Sequence, residues 1–156
     1  MVLVHIEIPS GSNVKYEFEN DRLCVDRILS TSMMYPGNYG YIPNTIADDG
    51  DAVDVLIIHT PPLVPSSYID CKILGMLNME DEKGKDEKII AIPNSKLAPE
   101  LSHLNDISDI NVNLLKLIKD FFHHYKNNEP NKWVKVYDFI NADETNKFII
   151  NKTITK

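Results

Sequence analysis

The chain has only two cysteines, and they do not form a Cys-x-x-Cys pair. That spacing suits neither a disulfide framework nor a thiolate metal site. Cys24 and Cys71 lie in strand-like runs and are expected to be reduced, buried thiols in a cytoplasmic protein. No apolar run approaches the roughly 20 residues that cross a bilayer, so no membrane partner is expected. Residues 1–5, Met-Val-Leu-Val-His, lack the basic start and long apolar core of a secretory leader. Basic residues are outnumbered, 16 Lys and Arg against 23 Asp and Glu, for a net charge of −7. General nucleic-acid binding depends on a basic footprint and is disfavoured. An anionic substrate remains compatible if divalent metals mediate the contact. There is no internal repeat, low-complexity tract or linker, and the length suits one domain with a real core, spanning 1–156.

What is present is organised around residues 48–54, Asp-Asp-Gly-Asp-Ala-Val-Asp, which lead directly into Val55-Leu56-Ile57-Ile58. Asp49, Asp51 and Asp54 fall on a turn with Gly50 at its tip, at the mouth of an apolar run that reads as a buried strand. Val53, Val55 and Ile57 would share one face of that strand, and Asp54, Leu56 and Ile58 the other. Asp54 thus sits among core positions, where an unpaired carboxylate is costly. A cation or a set of donors is expected to meet it.

Residues 2–8 alternate as a half-buried strand, with His5 and Glu7 opposite the aliphatic face, and Pro9-Ser10-Gly11-Ser12 turns the chain. Alternation resumes over 14–19, and β character continues over 23–29. Short strands with tight turns suggest a meander or small barrel. On pattern alone, Lys15 and Glu17 read as a solvated face. In Tyr35-Pro36-Gly37-Asn38-Tyr39-Gly40-Tyr41-Ile42-Pro43, the Pro and Gly residues predict an irregular loop. Its rings either cover the core edge or, together with Asn38, offer neutral donors to an anion. Residues 60–65 form a Pro-rich connector. Strands are predicted over 68–79 and 88–92, with a charged hairpin tip between Asp81 and Lys88. One long amphipathic helix spans 113–125, where Leu114, Leu115, Ile118, Phe121, Phe122 and Tyr125 make a core-facing stripe. The adjacent His123 and His124 point apart and make a poor metal pair. A late strand follows at 134–139. Asn141-Ala142-Asp143-Glu144 then reads as the cap of a C-terminal helix.

Several segments, in order, resemble the soluble inorganic pyrophosphatases of the Mg-dependent, single-domain type (family I). They are Ile6-Glu7-Ile8-Pro9, Lys15-Tyr16-Glu17, Val25-Asp26-Arg27, Tyr35-Pro36-x-Asn38-Tyr39-Gly40-Tyr41, Asp49-Gly50-Asp51-x-x-Asp54, Asp81-x4-Asp86-x-Lys88, Phe121-Phe122-x-His124-Tyr125-Lys126 and Lys132-Trp133-Val134-Lys135. The resemblance covers nearly the whole chain. It implies a mainly β fold, a five-stranded OB-like closed barrel with flanking helices, that hydrolyses pyrophosphate to two orthophosphates. It also implies Asp49, Asp54, Asp81 and Asp86 as ligands of several Mg²⁺ ions, with Glu7 and Glu17 peripheral and partly water-mediated. Asp51 is implied as the acceptor of the attacking water's proton, and Lys15, Arg27, Tyr39, Lys88, Tyr125 and Lys126 as groups that grip the phosphates. The bacterial type implies a homo-oligomer, a hexamer. The chain departs from the family's signature at Ala52, where Pro or Glu is usual. It also starts about a dozen residues later than the family pattern.

The chemistry is coherent. Mg²⁺ is a hard ion suited to carboxylate and phosphate oxygens. An acidic chain can handle a compact polyanion by recruiting such ions, with lysine, arginine and tyrosine stabilising the charge that moves to the leaving phosphate. Two rivals fit less well. An EF-hand loop needs Gly at its sixth place, which Asp54 occupies. An OB-type module binding single strands would use exposed aromatic platforms and a basic groove, against this charge balance.

Overall fold

The computed structural model describes residues 1–154. Nine strands run in chain order: β1 (Val2–Ile8), β2 (Val14–Glu19), β3 (Arg22–Ile28), β4 (Asn38–Ile42), β5 (Val53–Ile57), β6 (Tyr68–Asp81), β7 (Gly84–Lys85), β8 (Lys88–Pro93) and β9 (Val134–Asn141). Two helices, α1 (Val112–His124) and α2 (Ala142–Lys152), flank them. Two 3-10 turns, Pro99–Leu101 and Ile107–Asp109, lie in a stretch for which no element was predicted.

Strands β1, β4, β5, β8 and β6 pair in that order, and β6 pairs back with β1, closing an OB-like ring of five strands. All pairs in the ring are antiparallel except β5 with β8, which run parallel. β7 and β9 extend β6 beyond the ring, while β2 and β3 form a separate hairpin. Asn20 and Asp21 turn that hairpin, both at positive φ (53° and 60°), the backbone a tight two-residue turn requires.

The ring strands bury both faces. On β5, Val53, Val55 and Ile57 enter one apolar cluster and Leu56 and Ile58 another; on β8, Ile89 and Ala91 alternate in the same way with Ile90 and Ile92. The first cluster includes Ile149 of α2, and the second includes Ile118, Phe121 and Phe122 of α1. This double cover explains why 53–58 and 88–93 are continuous apolar runs rather than alternating ones. β1 is accordingly buried on both faces from Val4 onward, including His5 and Glu7, and is not the half-buried strand expected. The predicted helix lies within a residue of α1, whose N-cap is Asn111. Asn141 caps α2 by accepting from the Glu144 amide.

Of the segment 35–43 expected to be an irregular loop, residues 35–37 are irregular but Asn38–Ile42 is β4. Gly40, which suggested a break, is what allows the strand: a Cβ there would lie 1.9 Å from the His5 carbonyl oxygen on the paired strand β1. Asn38 is not available as a donor to an anion. It is fully buried, with Nδ2 donating to the Pro61 carbonyl and Oδ1 accepting from the Ser10 and Leu63 amides. Cys71 is buried as expected, but Cys24 is half-exposed on β3. Replacing Gly40 with Ala should force β1 and β4 apart and lower stability by about 3 kcal/mol or more, at the upper end of overpacking costs. The check is a chemical-denaturation midpoint, and an unchanged midpoint would rule out the close approach.

Candidate active site

One open pocket lies where the ends of β4, β5, β6 and β8 meet the hairpin of β2 and β3 and the end of α1. Every predicted site residue lines it: Glu7, Lys15, Glu17, Arg27, Tyr39, Asp49, Asp51, Asp54, Asp81, Asp86, Lys88, Tyr125 and Lys126. Lys15 and Glu17 therefore face the pocket, not bulk solvent. The stretch from Asp81 to Lys88 is not a solvated tip either, since Asp81, Asp86 and Lys88 are buried.

Local irregularities aim these side chains. β1 slips its pairing with β4 between Ile6 and Ile8, leaving Glu7 at a bulge. A bulge re-aims the side chain it carries. Glu7 Oε2 accepts from the Phe18 amide at 2.8 Å, which ties β1 to the hairpin. β2 and β3 slip between Lys15 and Tyr16, so Asp26 is the extra residue on β3. Asp26 Oδ2 then meets both Lys15 Nζ and Arg27 Nε at 3.2 Å. In the acidic turn Gly50 adopts φ 88°, its amide donates to the Ala47 carbonyl, and the Asp51 amide donates to Asp49 Oδ1 at 3.0 Å.

The centre is held by lysines. The parallel register of β5 and β8 places Lys88 opposite Asp54, and the buried Lys88 Nζ lies 2.9 Å from both Asp54 Oδ2 and Asp86 Oδ2. The same ammonium sits 5.4 Å from the centre of the Tyr39 ring. Burial works against its charge, but Asp54 and Asp86 more than reverse this and raise its pKa well above the ordinary lysine value. Lys126 Nζ reaches Asp81 Oδ2 at 2.7 Å. Burial pushes the Asp81 carboxyl up; hydrogen bonds from Lys126 and from the Lys83 amide outweigh it and leave the pKa lowered. Burial raises Asp49 despite the Asp51 amide. Asp51 is exposed on the turn and, among the described residues, has no ion-pair partner, unlike Asp54, Asp81 and Asp86.

Eight carboxylates and six cationic side chains line the pocket. The acids are in excess before any anionic ligand enters, so a polyanion needs further positive charge there. The donor chemistry fits a hard divalent ion, and a single ammonium already bridges two carboxylates, Asp54 on β5 and Asp86 in the link before β8. Among the described residues, no three His, Cys, Asp or Glu side chains are clustered tightly enough to hold a metal as they stand. Asp54, Asp81 and Asp86 are each paired with a lysine.

The family resemblance in the sequence is borne out by comparison with known proteins. The model of the inorganic pyrophosphatase family covers residues 4–156. The chain belongs to the inorganic pyrophosphatase family. It is similar to the inorganic pyrophosphatase of Nanoarchaeum equitans, with 51% identity over 148 residues that cover 95% of this chain and 92% of that protein. The corresponding protein of Ralstonia nicotianae is 50% identical over 151 residues, 95% of this chain and 86% of its own. The solved structure of the Helicobacter pylori inorganic pyrophosphatase superposes with a TM-score of 0.93 at 44% identity, covering 96% of this chain and 89% of that one.

Other residues of this pyrophosphatase pocket carried no separate signal. Glu82, Lys83 and Lys132 line it, and Glu129 binds Arg27 from the loop after α1. Glu82 and Lys83 are unassigned positions inside the quoted Asp81-to-Lys88 motif, whereas nothing in the sequence distinguishes Glu129. Tyr35 and Tyr39 line the pocket yet are almost fully buried and stack with α1, so both readings of the aromatic segment meet in them.

Burial raises the Glu7 carboxyl from 4.5 to about 7, against the Phe18 amide, which lowers it. A carboxyl whose folded pKa exceeds its unfolded value holds its proton more tightly in the folded chain. Its contribution favours folding at low pH and is lost as the pH rises from 4.5 to about 7. In metal-free buffer, Glu7→Gln should therefore gain stability relative to the parent across that window. Denaturation midpoints at pH 5 and pH 8 check it; a gap between the two proteins that does not change with pH refutes it.

Proposed function

We propose that this chain hydrolyses inorganic pyrophosphate to two orthophosphates in a magnesium-dependent carboxylate site. The single observation that carries the reading is the convergence in one pocket of acids from β1, the 48–51 turn, β5, β6 and the 81–88 hairpin, facing cations from β2, β3, β8 and the end of α1. Asp49, Asp54, Asp81 and Asp86 would hold the magnesium ions, with Glu7 and Glu17 more peripheral and partly through water. When bound, magnesium supplies Lewis acidity, lowering the pKa of a water and offsetting charge on the leaving phosphate.

The chain's own groups divide the remaining work. Asp51 is the base: it is exposed to the pocket and has no cationic partner among the described residues, so its carboxylate can take the water's proton as the water oxygen bonds to phosphorus. The bridging P–O bond breaks, and the electron pair leaves with the second phosphate. Lys15, Arg27, Lys88 and Lys126 meet that charge, and Tyr39 and Tyr125 line the same wall as hydroxyl donors that add none. Lys88 and Lys126 have a second part to play. They pair with Asp54, Asp86 and Asp81, so binding of metal and substrate would move them from carboxylate to phosphate. The working form is a homo-oligomer of the bacterial hexameric type, acting in the cytoplasm.

The decisive measurement is phosphate release from magnesium pyrophosphate by the purified protein. A nucleic-acid-binding module would release none, and the burial of Tyr35 and Tyr39 leaves that alternative short of stacking platforms. Replacing Asp51 with Asn should lower kcat by roughly 100-fold or more, within the usual range for general-base loss, while magnesium affinity changes little. A variant that loses a tightly bound magnesium yet turns over normally at saturating metal would reassign Asp51 as a ligand.

A further inference from the structure

Arg27 is held by two carboxylates from separate parts of the chain. Nε donates to Asp26 Oδ2 at 3.2 Å, from its own strand, and Nη1 donates to Glu129 Oε1 at 2.7 Å, from the loop joining α1 to β9. The second contact is the shorter, and it spans 102 positions of sequence. Both side chains are largely shielded, Arg27 at 21% and Glu129 at 17% exposure. The remaining Glu129 oxygen, Oε2, is buried with no hydrogen-bond partner. Leaving a carboxylate oxygen in that state is costly, and Arg27 is the cation that compensates it.

The loop that carries Glu129 is shaped to deliver it. Asn128 and Asn131 both adopt positive φ, 72° and 61°, on either side of Glu129 and Pro130. Asn128 Nδ2 donates to the Ser30 carbonyl just beyond β3. At the loop's two ends, Lys126 binds Asp81 and the Trp133 amide donates to Glu82 Oε1. The loop therefore bridges the hairpin of β2 and β3 to the acidic end of β6 across one side of the pocket. A guanidinium is a rigid planar fork, so carboxylates at Nε and Nη1 set its plane, and Nη2, which donates to neither among the described residues, remains for an anion.

We propose that Glu129 is a positioning residue: it acts through Arg27, fixing the guanidinium plane so that Nη2 meets a phosphate group of the bound substrate. This rests on the reading of Arg27 as a phosphate-binding group. Without Glu129 the long Arg27 side chain regains rotamers, and the phosphate must order it at the moment of binding. The loss falls on substrate capture, in KM more than in kcat. Glu129→Gln keeps an acceptor for Nη1 and retains most of the effect.

A double-mutant cycle on magnesium pyrophosphate hydrolysis, with KM and kcat resolved, tests the proposal. Glu129→Ala should lower kcat/KM roughly 10- to 100-fold, mainly through KM, with Glu129→Gln recovering most of it. In a chain already carrying Arg27→Ala, the same Glu129 substitutions should change kcat/KM by less than about twofold, because no guanidinium remains to be oriented. Equal losses with and without Arg27 overturn the proposal, since Glu129 would then act by holding the loop and not through the arginine. If Arg27→Ala alone leaves kcat/KM unchanged, the underlying reading of Arg27 has failed, a separate result. Denaturation midpoints identify any variant that does not fold. Should Glu129→Ala be one, a cycle run on Glu129→Asp, which withdraws the carboxylate by one methylene, carries the same two outcomes.

Discussion

A charged ammonium buried between two carboxylates is the constraint on which the rest of this molecule depends. Lys88, at the start of β8, meets Asp54 of β5 and Asp86 of the preceding link at equal distance. Removing one member of such a buried set costs about 3–5 kcal/mol, because the others remain desolvated and unpaired. The barrel end can therefore hold an excess of acids only while cations are threaded among them. The chain's lysines meet that need: Lys88 serves Asp54 and Asp86, and Lys126 serves Asp81.

The fold serves this arrangement through its departures from regularity. The parallel pairing of β5 with β8, in a ring otherwise antiparallel, brings Asp54 and Lys88 side by side. The bulge at Glu7 turns that side chain toward the pocket, and the bulge at Asp26 sets its carboxylate against Lys15 and Arg27. Apolar clusters on both faces of the ring anchor the strands that carry these residues, and α1 places Tyr125 and Lys126 at its C-terminal end over the same opening. Hydrogen bonds from Phe18 to Glu7 and from Arg27 to Glu129 fasten the separate hairpin to the ring on one side and to the α1–β9 loop on the other.

Much of this was legible in the order of residues. The faces of β5, the extents of β2 and α1, the cap of α2 and the cation required at Asp54 all follow from period, turn chemistry and the cost of a buried charge. The motifs located each predicted pocket residue. What misled was local. Pro and Gly around 36–43 suggested a loop, yet Gly40 is in a strand because its partner's carbonyl occupies the space of a side chain. Alternation made Lys15 and Glu17 look solvated, since period 2 separates the faces of a strand but cannot say whether the polar one meets water or another wall of protein.

The sequence by itself determined both helices and most of the strands, β4 being the exception, which positions are apolar enough to be core, and that an acidic turn required a positive partner, because those properties depend on neighbours within a few residues. Only the tertiary structure decided which cation that partner is, that β1 is covered on both faces, and that Glu129 reaches Arg27 from across the chain. Such pairings depend on ring closure and strand register, which bring residues far apart in sequence to within a hydrogen bond, and no local pattern encodes that distance.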